Sequence, residues 1–249
     1  MAGDVARAAQ LVESLDPASR ELWKAILAIV RNDSTTAIRT LRHAGQPKAL
    51  AVAYYLARQY LLFRDQMAEA IRRDPDDFAP YYYLGRYYDS DLDDAEQAAR
   101  WFREALSRNP DYERARSHLG NCLERQGRME EAEAAYRASA SVPLSQLGLA
   151  RLMLAGGDNA SALSFVERAA AGDPRDSAAP KLAARIYTAL GRPRDAVRAL
   201  ERAAALAPRE ASTHYQLYRA WQSLGDTAKA GMALREFERL RDVYGVQPR

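Results

Sequence analysis

Cysteine is almost missing from this chain of 249 residues, because Cys122 is the only one. A single thiol excludes an intramolecular disulfide and any metal site built from several cysteines. Lysine is also scarce, with 4 lysines against 32 arginines. The preference for alanine and arginine over lysine indicates a GC-rich bacterial genome.

Long apolar runs are missing too. The longest candidate, residues 22–30, contains Lys24 and is much shorter than the roughly 20 residues that span a bilayer, so we expect no membrane span. Asp4 and Glu13 interrupt the region where a secretory signal would be continuously apolar. We therefore expect a cytoplasmic protein, or a periplasmic one if a leader has been removed.

Catalytic motifs are lacking in the sequence. There is no glycine-rich phosphate loop, no pair of metal ligands at helical spacing and no nucleophile motif. The three histidines, His43, His118 and His214, are far apart and form no group. We expect no cofactor and no metal, and we expect that the protein is not an enzyme.

The charged residues that are present have mixed signs. The 36 basic and 33 acidic side chains give a net charge of +3, and they alternate along the chain instead of forming blocks. This pattern is typical of a solvated surface, so we do not expect a nucleic-acid partner. With 48% hydrophobic residues, 13 glycines and 11 prolines, the composition indicates an ordered, mostly helical chain.

A repeat of about 34 residues runs through most of the sequence. Gly127, Gly157, Gly191 and Gly225 follow one another at spacings of 30, 34 and 34 residues. Prolines recur with a similar period, and a proline can begin or follow a helix but cannot continue one. These prolines are Pro75, Pro110, Pro174 and Pro208. The pattern predicts pairs of helices separated by turns.

In most units, a Leu or Ala is followed by a small residue and then by an aromatic or apolar residue, and alanines recur in the second helix; the last unit has the bulky Tyr218 at the small-residue position. The clearest unit contains Tyr81, Leu84, Gly85, Tyr88, Ala98, Phe102, Ala105 and Pro110. Similar units are centred on Leu119, Leu149, Ala183 and Leu217. A weaker unit around Leu50 lacks the turn glycine. This pattern resembles the tetratricopeptide repeat family.

The resemblance implies an all-α fold, a right-handed superhelical solenoid of antiparallel helix pairs. It predicts an irregular helical segment over residues 1–45, a degenerate repeat over 46–77, and five tetratricopeptide-like repeats over 78–249 in one continuous solenoid. Such units stack because a single helix pair cannot bury its own apolar face.

In the family, the first helix of each repeat lines a concave groove, particularly at its fifth and ninth positions. At the ninth position, four of five residues in this chain are arginine, which suits carboxylates because its planar guanidinium donates several hydrogen bonds. The resemblance therefore predicts a peptide-binding groove containing Tyr82, Arg86, Asn121, Arg151, Lys181, Arg185, Tyr215 and Arg219.

The resemblance implies a protein-interaction scaffold or adaptor that binds a peptide segment in this groove, and the arginines favour an acidic one. Two alternatives stay open: a helical-repeat protein that binds RNA or another polyanion, and a self-assembling module of a larger complex. A homo-oligomer could form through the C-terminal end, because the sequence shows no polar capping helix after the last repeat.

Overall fold

The computed structural model describes residues 17–42 and 46–244. Its described residues form fourteen helices and no strand. In chain order these are α1 Pro17–Val30, α2 Ser34–Leu41, α3 Pro47–Leu56, α4 Tyr60–Arg73, α5 Phe78–Ser90, α6 Ala95–Arg108, α7 Glu113–Arg125, α8 Met129–Arg137, α9 Pro143–Ala155, α10 Asn159–Gly172, α11 Ala178–Ala189, α12 Pro193–Leu206, α13 Ala211–Ser223 and α14 Thr227–Tyr244.

The helices are arranged in pairs. Each odd-numbered helix packs most closely against the helix that follows it, and within each unit neighbouring pairs also pack against one another. The connections within pairs are short, as expected for antiparallel neighbours. The prediction of an all-α fold of tetratricopeptide-type helix pairs is confirmed.

The pairs are grouped into two compact units. The first ends at Tyr112 and contains α1 to α6, and the second begins at Glu113 and contains α7 to α14. The predicted segment 1–45 includes α1 and α2, but residues 1–16 and His43 lie outside the described residues. The division of the chain into an N-terminal segment, a degenerate repeat and five repeats stays a prediction.

The turn inside each helix pair has one residue in the left-handed backbone region. The last four pairs use the repeating glycines for it, with φ between 66° and 82°. The first three pairs use Asn32, Arg58 and Asp93, with φ of 60°, 55° and 55°. Residues with a Cβ disfavour this region, which is why glycine is typical of such turns. The period of glycines in the sequence therefore predicts only the last four pairs.

Aspartates begin several of the helices. The carboxylates of Asp33, Asp94 and Asp158 each accept a hydrogen bond from the backbone N–H three residues later, at 3.0 Å. These bonds satisfy donors that have no partner within the helix. Together with the left-handed turn residues, they explain where the second helix of a pair begins.

The core of the second unit includes an aromatic ring held between two helices. The Tyr136 side chain on α8 is fully buried, and its ring packs against Gly120 on α7 and Gly148 on α9. A Cβ at Gly120 would lie 2.8 Å from the ring, so only glycine leaves enough room. This packing brings three consecutive helices together and positions the side chains at the site described below.

Within the described ranges, none of the helices combines the length and the apolar character required to cross a membrane.

Candidate functional site

The eight predicted groove residues are divided between the two units. Tyr82 and Arg86 lie on α5 in the first unit, and the other six lie on the first helices of pairs in the second unit.

In the first unit, Tyr82 is less accessible than the sequence suggests. Its side chain is 7% exposed, and its ring packs against Phe102 and Tyr112 at centroid distances of 6.0 and 5.0 Å. Arg86 is exposed and donates to the Tyr82 hydroxyl at 3.4 Å. The neighbouring Tyr83 is 43% exposed. Tyr83 therefore offers more ring surface to a ligand than Tyr82 does.

In the second unit, Arg151 on α9 is held by a carboxylate on α7. Its Nε and Nη2 atoms donate to Glu124 Oε1 and Oε2 at 2.8 and 2.6 Å. The Tyr136 hydroxyl donates to Glu124 Oε2 at 2.7 Å, and Arg151 Nη2 lies 3.2 Å from the same hydroxyl. The guanidinium thus joins a network that links α7, α8 and α9.

Ionisation equilibria agree with this network. Burial opposes the charge of Glu124, but hydrogen bonds from Arg151 and its positive charge outweigh that effect, so the pKa of Glu124 is lowered. Burial, followed by the charge of Glu124, raises the pKa of Tyr136. A weaker interaction with the Asn121 side chain acts on this pKa in the opposite direction. Both Asn121 and Arg151 therefore take part in internal contacts.

Lys181 is part of another internal link. Its Nζ lies 2.6 Å from Glu210 Oε1, which joins the first helix of one pair to the start of the next pair's first helix. In the first unit, Lys48 makes the equivalent bond to Asp77 at 2.7 Å. In both places the two partners are 29 residues apart in the sequence, so this contact belongs to the packing of neighbouring pairs.

Arg185 and Arg219 differ from Arg151. Both are exposed, and neither side chain makes a hydrogen bond or ion pair within the part of the chain that the structure describes. The positions equivalent to Glu124 in the preceding first helices are Leu154 and Thr188, which carry no charge. Arg185 and Arg219 therefore keep their donors available to a ligand.

Tyr215 is half-buried, and its ring packs against Phe237 and Tyr218 at centroid distances of 5.2 and 6.0 Å. The structure thus places the eight predicted residues at positions with different environments. Arg86, Arg185 and Arg219 are exposed, whereas the others are wholly or partly engaged in internal contacts. Their role in binding stays a prediction.

A pocket in the first unit was not predicted from the sequence. A cavity of about 180 Å³ lies between α3, α4 and α5. It is lined by Val52, Tyr55, Phe63, Tyr83, Arg86 and Tyr87. The sequence feature that could have indicated this pocket is the high density of tyrosines in residues 54–60 and 81–88.

No group of three or more histidine, cysteine, aspartate or glutamate side chains is positioned to hold a metal within residues 17–42 and 46–244.

Helix pairs with a left-handed turn residue, stacked on one another within each unit, define a helical-repeat protein. The sequence model of the tetratricopeptide repeat matches residues 91–143 and 153–221. Over these residues, which are 122 of its 249, the chain is a tetratricopeptide-repeat protein.

Solved structures show the same fold. PilW, described as a widely conserved type IV pilus biogenesis factor, has a TM-score of 0.67 and 20% identity, covering 80% of this chain and 92% of its own. Yeast Tom70 has a TM-score of 0.64 and 18% identity, covering 95% of this chain and 55% of its own. YrrB, described as having an unusual peptide-binding site, has a TM-score of 0.50 and 16% identity, covering 72% and 94%. No curated protein matches the sequence.

Proposed function

We propose that this protein is an interaction scaffold whose second unit binds an extended acidic peptide segment through Arg185 and Arg219. The observation that carries this proposal is that these two exposed guanidiniums have no partner among the described residues and occupy the same position in consecutive first helices. Tetratricopeptide repeats generally act as protein-interaction scaffolds, and YrrB is described as having a peptide-binding site.

The chemistry of the two residues favours a carboxylate ligand. A guanidinium donates in a fixed plane and can engage both oxygens of a carboxylate. An exposed ion pair between an arginine and a carboxylate contributes only about 0–1 kcal/mol, so both arginines have to act together. We therefore expect a weak to moderate complex that weakens as salt is added.

The surrounding side chains add apolar contact. Tyr215 and Tyr218 lie on the same helix as Arg219, and both are half-buried. Aromatic rings of this kind bury much apolar surface at low conformational cost. We propose that the peptide backbone passes over these rings while its carboxylates meet the arginines.

Binding of a fluorescein-labelled, twelve-residue peptide with an aspartate at every third position tests this proposal. Fluorescence anisotropy would compare the full chain with the double variant Arg185→Gln/Arg219→Gln. We expect up to about 30-fold weaker binding in the double variant, since two pairs of up to about 1 kcal/mol are lost.

The control is the double variant Arg194→Gln/Arg209→Gln. It removes the same charge from exposed arginines of the same unit that make no side-chain ion pair within the described residues. Equal weakening in both double variants would show that only net charge matters and would contradict the proposal. Tighter binding of a single-stranded RNA of equal charge than of the peptide would also contradict it.

A further inference from the structure

The pocket in the first unit has features that the acidic-peptide proposal does not use. Its volume of about 180 Å³ is below the range of about 300–1,000 Å³ that is typical of sites for whole small molecules. Its lining is mainly aromatic and aliphatic, with one charged side chain, Arg86. A space of this size suits a single side chain of a larger partner.

The aromatic wall of the pocket is a connected cluster. Phe63 lies 5.5 Å from Tyr55 and 5.4 Å from Tyr87, measured between ring centroids. Tyr60 lies 5.8 Å from Tyr55 and 5.3 Å from Tyr87. Because each ring is supported by at least two others, the wall is formed before a ligand arrives, which lowers the entropy cost of binding.

Two hydroxyl groups of this wall already have a hydrogen-bond partner. The hydroxyl groups of Tyr55 and Tyr60 donate to the two carboxylate oxygens of Asp91, at 2.6 and 3.1 Å. Burial of Tyr55, followed by its bond to Asp91, raises the pKa of Tyr55 to about 12, so the hydroxyl stays protonated at neutral pH. An entering apolar group therefore leaves no hydroxyl of these two residues without a partner.

Arg86 gives the pocket its charge. Its side chain is exposed, and its 3.4 Å bond to the Tyr82 hydroxyl leaves other N–H donors available. Charges of both signs act on this wall: Asp91 and Arg86 act in opposite directions on the pKa of Tyr55, and Asp91 and Arg58 do so on the pKa of Tyr60. Burial of an apolar group should thus provide most of the affinity, and Arg86 should favour peptides that have a carboxylate next to that group.

We propose that this pocket binds one apolar side chain of a peptide segment whose adjacent carboxylate contacts Arg86. The apolar group lies against Val52, Phe63 and Tyr87, and Tyr83 covers it from the exposed side. This inference rests on the proposed function in that the ligand is a peptide, but it names a different unit and a different recognition element. A cationic ligand is disfavoured because Arg86 lines the same space.

A short fluorinated peptide tests this proposal with the full chain. The probe is an acetylated and amidated peptide, Gly-Ser-Gly-Phe-Asp-Gly-Ser, with 4-fluorophenylalanine as its aromatic residue. Its ¹⁹F line width reports binding at concentrations up to the millimolar range. A second probe has Asn in place of Asp, and a third ends at the fluorophenylalanine with a free carboxylate.

We expect the Asp probe to bind about threefold more tightly than the Asn probe, and we expect Arg86→Gln to abolish this difference. Val52→Phe should fill the pocket and weaken binding at least tenfold. Tyr83→Ala should weaken binding without altering a buried side chain, so it tests the pocket even if Val52→Phe does not fold. If the third probe binds more tightly than the first, the carboxylate belongs to a chain terminus, which also supports the site.

The matched controls lie in the same unit. Arg103→Gln removes an exposed arginine that makes no side-chain ion pair within the described residues, and Val30→Phe enlarges a valine that is 64% exposed. With either variant, the ¹⁹F line width of the probe should be the same as with the wild type. Equal binding of the Asp and Asn probes would overturn the role of Arg86. Absence of binding, or binding that is unchanged by both Val52→Phe and Tyr83→Ala, would overturn the site.

The experiment also separates this inference from the proposed function. Arg185→Gln/Arg219→Gln should leave binding of the fluorinated probe unchanged, because those residues belong to the second unit. If that variant binds the long acidic peptide more weakly but the wild type does not bind the short probe, only the pocket is refuted. If the wild type binds the short probe but that variant binds the long acidic peptide as tightly as the wild type does, only the acidic groove is refuted.

Discussion

Arg151→Met should destabilise the second unit, whereas Arg185→Met should not. Arg151 makes two hydrogen bonds to Glu124, and the side chains of the pair are only 29% and 19% exposed. A hydrogen bond to a charged partner contributes about 1.5–3 kcal/mol, and loss of Arg151 also leaves a partly buried carboxylate. We expect the free energy of unfolding to fall by about 1.5–3 kcal/mol.

Thermal unfolding followed by circular dichroism would measure this effect. For a chain of this size, each kcal/mol corresponds to a change in Tm of about 2–4 °C, so Arg151→Met should lower Tm by roughly 3–12 °C. Arg185→Met makes the same substitution at the equivalent position one repeat later and should change stability by less than about 0.5 kcal/mol. A double-mutant cycle with Glu124→Gln isolates the pair and should give a coupling energy of about 1–2 kcal/mol.

The contribution of Glu124 should also depend on pH. Its pKa is lower in the folded protein than the ordinary value of 4.5, so the folded state holds its proton less tightly than the unfolded chain does. The stabilisation is therefore fully present above about pH 4.5 and is lost as pH falls through the folded pKa. The Tm difference between wild type and Glu124→Gln should shrink in acid.

Two results would refute this reasoning. One is a coupling energy near zero, which would mean that the ion pair adds nothing to the packing of Tyr136. The other is an equal loss of stability in Arg151→Met and Arg185→Met, which would mean that the equivalent residues have the same role.

The remaining predictions concern glycines and turns. Gly148→Ala should destabilise the protein by more than about 2 kcal/mol, because its Cβ would overlap the buried Tyr136 ring, and thermal unfolding would measure the loss. Gly191→Ala should cost about 1–2 kcal/mol from its φ of 66° alone, since no atom lies within 4 Å of the added Cβ. Arg58→Gly should stabilise the first unit slightly, by up to about 1 kcal/mol, because φ is 55° there; a lower Tm would contradict this expectation.

The fold was predictable from sequence where the repeat signals agree with one another. The glycines of the last four turns and the prolines between pairs mark the helix ends directly, and the structure has turns at those glycines. The first pairs were harder to identify because Asn32 and Arg58 occupy left-handed turns that usually favour glycine. The helix α8 is also short, at 9 residues, which explains the spacing of 30 between Gly127 and Gly157.

The candidate site was less predictable, because exposure depends on packing that the pattern does not contain. Tyr82 and Tyr83 are adjacent tyrosines in one helix, yet they are 7% and 43% exposed. Tyr82 is covered because Phe102 and Tyr112 come from other parts of the unit. The pocket between α3, α4 and α5 likewise depends on side chains from three helices.

The arginines of the second unit show why a repeat position does not by itself assign a function. Arg151, Arg185 and Arg219 occupy the same place in successive repeats, but the equivalent position in the preceding first helix holds a different residue in each case. Glu124 fixes the first arginine, whereas Leu154 and Thr188 supply no charge to the other two. Two neighbouring repeats are therefore needed to distinguish a structural arginine from one that is available to a ligand. By this criterion Arg185 and Arg219 are the residues to test for binding, and Arg151 is the residue to test for stability.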